Sequence, residues 1–69
     1  MSQNALKIWL ESLTKAQHQE AVAAIIARFE FNRSTLYEWK RESKRFTTIE
    51  REELNKISQQ ITNSNIFEL

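Results

Sequence analysis

Not one of the 69 residues is a glycine or a proline. Tight hairpin turns rely on residues that take positive φ without strain, and proline is the strongest interrupter of helices. Their joint absence disfavours hairpins and Gly-rich phosphate loops, and it leaves helical runs unbroken. The chain reads as all-α.

Length sets the second bound. A chain this short makes one domain, spanning residues 1–69, and buries only ~60% of the surface that its unfolded form exposes. Cysteine is also absent, so neither a disulfide nor a thiolate zinc site can staple the fold, and association of two copies is the staple to expect. The longest apolar stretch, within EAVAAIIARF, is too short and too closely bounded by charge to cross a bilayer, and no leader pattern precedes it. A cytoplasmic homodimer without membrane association is the expectation.

Apolar spacing divides the chain into four helices, with a fifth left open. Leu6, Trp9, Leu10 and Leu13 share one stripe of a helix over about 4–13, with Ser2 or Asn4 as its cap. Thr14 and Gln17 have the spacing of a capping box, which starts a second helix carrying Val22, Ile25, Ile26 and Phe29. Alanines 21, 23, 24 and 27 permit a close helix approach there. Asn32 caps a third helix with Leu36 and Trp39 on its inner face, reached from Phe29 through a very short turn. Thr47 and Glu50 form another capping box, opening a last helix with Ile49, Leu54, Ile57 and Ile61. Asn63, Ser64 and Asn65 end it. The closing IFEL is apolar, so it either closes the core or meets a second subunit, which makes Ile66, Phe67 and Leu69 candidate dimer contacts.

The net charge is only +1, but it is unevenly placed. Residues 1–32 are neutral overall, residues 47–69 carry −2, and the segment from Arg33 to Phe46 carries +3 through Arg33, Lys40, Arg41, Lys44 and Arg45 against Glu38 and Glu42. A local basic face attracts polyanions whatever the total charge.

The run AVAAIIARFEFNRSTLYEWKR has the form of a helix-turn-helix, and its NRSTLYEW resembles the second helix of small phage and plasmid repressors of the Cro and lambda-repressor type. The resemblance covers roughly residues 21–41. It implies a compact all-α domain, of four or five helices, that binds duplex DNA as a transcriptional regulator. One position departs from the pattern: Glu30 stands where glycine is common, and positive φ carries a steric cost for any residue with a Cβ. Either the turn has another geometry or the second helix runs further.

A recognition helix turns its first residues toward base edges, which makes Asn32, Arg33, Ser34 and Tyr37 candidate base readers, with Glu38 and Arg41 at the groove margin. Arg33 suits guanine O6 and N7, and Asn32 suits adenine if the cap leaves it free. Lys40, Lys44 and Arg45 suit phosphates, with neutral help from Thr35 and from Gln17 at the start of the second helix. Trp9, Leu36 and Trp39 read as core, and His18 as a surface residue.

Chemistry beyond binding has little to draw on. With one histidine, no cysteine and no aspartate, no Ser-His-Asp triad can be assembled. Glu50, Glu52 and Glu53 read as complements to a helix dipole, not as acid–base partners or metal ligands. No enzyme activity, cofactor, metal or small-molecule substrate is expected. Two rival readings keep the same frame: an interaction module gripping an acidic protein, as an inhibitor or antirepressor does, and a DNA-contacting accessory of a recombination or packaging complex.

Overall fold

A computed structural model describes residues 4–41 and 45–68. They form four helices and no strand: α1 (Ala5–Glu11), α2 (Lys15–Phe29), α3 (Arg33–Trp39) and α4 (Thr48–Thr62). Both expected capping boxes are present. Thr14 and Gln17 exchange side-chain-to-backbone bonds at the head of α2, and Thr47 and Glu50 do so at the head of α4. Each box satisfies two backbone N–H groups that a helix start otherwise leaves free.

The core is assembled from one stripe of each helix. Leu6, Leu10, Ile25 and Leu54 are almost wholly buried, joined by Trp9, Val22, Leu36, Trp39 and Ile57. Burying each such side chain contributes about 1.5–3 kcal/mol. α2 packs chiefly along α4; of the four alanines expected to permit a close approach, Ala21 is buried and Ala24 partly so, whereas Ala23 and Ala27 are exposed. Among the described residues, no buried side-chain polar atom lacks a partner.

Two buried asparagines tie distant segments together. The Asn4 Oδ1 caps α1 by accepting from the Lys7 backbone N–H at 3.2 Å, while its Nδ2 donates to the carbonyls of Trp39 and Arg41 at 2.6 and 2.8 Å. Asn55 does the same for the C-terminal tail. Its Oδ1 accepts from the N–H groups of Ile66 and Phe67, and its Nδ2 donates to the Phe67 carbonyl, all at 2.9 Å.

Several expectations need correction. α1 stops at Glu11 rather than Leu13, because the Ser12 hydroxyl bonds back to the Trp9 carbonyl at 2.6 Å and Thr14 must be extended to cap α2. Ile49 is 72% exposed and not in the core. It lies five residues ahead of Leu54, which at 3.6 residues per turn is about 140° around the helix. α3 ends at Trp39, so Arg41 and Arg45 stand beyond it and not on its faces. The Asn4 amide donates to the carbonyls of Trp39 and Arg41 at this helix end. The tail closes the core, one of the two roles expected of it: Ile66 and Phe67 pack there and stay partly exposed. Ser2, Glu42, Lys44 and Leu69 lie outside the described residues.

The turn between α2 and α3 keeps the left-handed geometry that glycine usually serves. Glu30 sits at φ 55°, ψ 44°, and Asn63 closes α4 in the same region at φ 56°, ψ 34°. Asparagine tolerates this conformation well, whereas glutamate does not. Glu30→Gly should therefore raise stability by about 0.5–1 kcal/mol, read as a higher urea midpoint. A lower midpoint would assign the Glu30 side chain a stabilising role. Asn55→Ala should lower stability by about 1–3 kcal/mol by stranding three backbone groups. A loss well below that range would mean that water replaces the side chain without penalty.

Candidate functional site

α3 begins where Asn32 becomes extended and its Oδ1 accepts from both the backbone N–H and the hydroxyl of Thr35, at 3.0 and 3.2 Å. This cap has a consequence for the expected contacts. The carbonyl of Asn32 is fully engaged, so a bidentate adenine contact is not open to it. The Thr35 hydroxyl takes part in the same cap, 3.2 Å from the Asn32 Oδ1.

The periodicity of α3 sorts its other residues into three stripes. Leu36 and Trp39 enter the core at 5% and 9% exposure. Ser34 and Glu38, with Arg41 just past the helix, are exposed together, and the Arg41 guanidinium lies 3.7 Å from the Glu38 carboxylate. Both of those side chains are largely solvated, so the pair orients Arg41 more than it stabilises the fold. Arg33, Tyr37 and Lys40 form the third stripe, and they border α2. With His18, Val22 and Leu36 they line a crevice of about 40 Å³.

Tyr37 is 67% exposed, and the Lys40 ammonium stands 4.9 Å from the centre of its ring. This cation–π contact holds the lysine head at the rim of the crevice. Gln17, expected at a phosphate, has its Oε1 occupied by the Thr14 N–H. Its Nε2 is the atom left for that role. Arg45 is exposed in the segment leading to α4, next to Phe46, whose ring packs on Trp39 at 5.5 Å.

His18 is the functional candidate that the sequence reading set aside as a surface residue. It is half-buried beside Arg33, Tyr37 and Lys40. Its position carried a signal: His18, Val22, Ile25 and Phe29 recur at helical spacing, so His18 extends the buried stripe of α2 by one turn.

A wider groove of about 400 Å³ runs between α2 and α4, lined by Ala24, Ala27, Arg28, Glu53, Lys56 and Ile57 among others. Its one carboxylate is shared by two cations. The Arg28 Nε donates to Glu53 at 2.7 Å, and the Lys56 Nζ approaches the same carboxylate at 3.4 Å. The hydrogen bond from Arg28 holds the Glu53 carboxyl below the usual glutamate range, against the opposing effect of desolvation, with the charges of Arg28 and Lys56 adding to it. The groove is thus clasped by an ion pair between two helices. No group of three or more potential metal ligands occurs among the described residues, and none of their helices is long and apolar enough to cross a membrane.

No family model, curated protein or solved structure matches the chain.

The Glu53 shift fixes the sign of a pH effect. A carboxyl whose pKa is lower folded than unfolded stabilises the fold above the ordinary glutamate range, and that contribution disappears as the pH falls through the folded value. Thermal melts should therefore show Glu53→Gln less stable than wild type near neutrality, with the two converging in acid. A constant gap at all pH values would mean that the carboxylate charge is not the source of the difference.

Proposed function

We propose that this chain is a sequence-specific duplex-DNA-binding regulator of transcription, a repressor of the phage or plasmid type that acts as a homodimer, with α2, the turn at Glu30 and Phe31, and α3 serving as its helix-turn-helix. The observation that carries the reading is the division of α3. Leu36 and Trp39 root it in the core, while Arg33, Ser34, Tyr37 and Glu38 stand exposed on one short helix, with Lys40, Arg41 and Arg45 following. A helix held rigidly from one side and polar on the other suits entry into a major groove.

In this reading Arg33 donates two bonds to a guanine, Glu38 accepts from a cytosine amino group, and Ser34, Tyr37 and Arg41 complete the base contacts. Lys40, Lys44, Arg45 and the Gln17 amide hold phosphates and set orientation. With about four phosphates neutralised per subunit, the log–log salt dependence of a dimer is about −7. Two copies read half-sites ~34–36 Å apart in an inverted repeat.

Selection from a random duplex library near physiological salt tests this directly, with an enriched inverted repeat as the expected result. On the selected site, Arg33→Ala should lose about 1–3 kcal/mol of discrimination at one base pair, whereas Arg45→Ala should weaken all sequences alike and reduce the salt slope by about one. Identical behaviour of the two variants would refute the recognition-helix assignment. No enrichment, with binding that only fades as salt rises, would favour the module that grips an acidic protein partner.

A further inference from the structure

We propose that the crevice between α2 and α3 is a phosphate seat, in which His18 and Lys40 close on one phosphodiester of the DNA backbone and thereby set the register at which Arg33 meets the bases. The proposal rests on the DNA-binding reading above and adds to it a contact residue, His18, outside the turn and α3.

Size decides the class of ligand. At about 40 Å³ the crevice admits only a small group. A metabolite-sized ligand, whose sites measure ~300–1,000 Å³, is excluded. The two unesterified oxygens of a phosphodiester fit.

Charge decides its sign. Arg33 and Lys40 bring positive charge to the crevice, His18 adds its ring nitrogens, and no carboxylate lines it. The nearest acid on α3, Glu38, lies on a different stripe beside Arg41. The walls formed by Val22 and Leu36 are apolar, and they keep water from screening the ion pair from below.

Rigidity favours the contact further. Lys40 is already held over the Tyr37 ring, and His18 projects from the first turns of a helix whose start is fixed by the Thr14–Gln17 capping box. Little freedom of the lysine head remains to be lost on binding. Because Arg33 shares the crevice wall, a phosphate seated there fixes how far along the groove its guanidinium reaches.

The test uses a duplex that the protein binds, with its phosphates replaced one at a time by neutral methylphosphonate. One position per half-site should weaken wild-type binding about tenfold. That penalty should shrink to about twofold or less in both His18→Ala and Lys40→Ala, and persist in Arg45→Ala and in His18→Gln, which keeps an N–H donor. A full penalty remaining in His18→Ala overturns the proposal, as does a scan with no such position. If wild type binds no duplex at all, the regulator reading fails separately and inorganic phosphate decides the crevice. Saturable shifts of the His18 ring resonances that vanish in Lys40→Ala would assign it to free phosphate, and unmoved resonances would overturn it.

Discussion

Trp39 is where the separate parts of the chain meet. Its ring takes Phe29 and Phe31 edge-on, both at 4.8 Å between centroids, and Phe46 at 5.5 Å. Phe29 ends α2, Phe31 forms the turn, and Phe46 leads into α4, where it also packs on Phe67 of the tail at 5.2 Å. Such edge-to-face pairs each add about 0.5–1.5 kcal/mol to the burial of their surfaces. The carbonyl of the same residue accepts from Asn4, so one tryptophan fixes both where α3 lies and where it stops. All that α3 presents to solvent follows from this anchoring. A seven-residue helix is too short to be stable alone, and tertiary contacts hold it.

How far the sequence revealed this depended on the distance between interacting partners. The two capping boxes were legible because their partners are three residues apart, and they placed the starts of α2 and α4 correctly. The start of α3 at Asn32 was legible for the same reason. Its end was not, because the amide that binds its last carbonyl belongs to Asn4, 35 residues earlier. The docking of the tail depended likewise on Asn55, a polar residue inside an otherwise ordinary helical pattern. Ile49 was misplaced by composition alone, although counting helical angles from Leu54 would have put it in solvent. At the candidate site, the exposed polar side of α3 was foreseen in outline. The engagement of Asn32 and Thr35 with each other, and the approach of His18 from α2, required coordinates.

The molecule also shows how a small core without a disulfide is kept together. Asn4 and Asn55 each use both ends of a side-chain amide to satisfy backbone groups of another segment. A buried amide so saturated adds directional specificity that apolar packing lacks. The one glutamate forced into left-handed geometry at the turn is the local strain that this framework carries.

The double engagement of Asn4 has a dynamic consequence. A single side chain caps the start of α1 and binds the last carbonyls of α3, so neither helix end can fray without releasing the other. Slow amide exchange should then report α1 and α3 as one cooperative opening unit, although α2 lies between them in the chain. The segment before α1, remote from the exposed side of α3 in sequence, thereby governs how long that side keeps its shape.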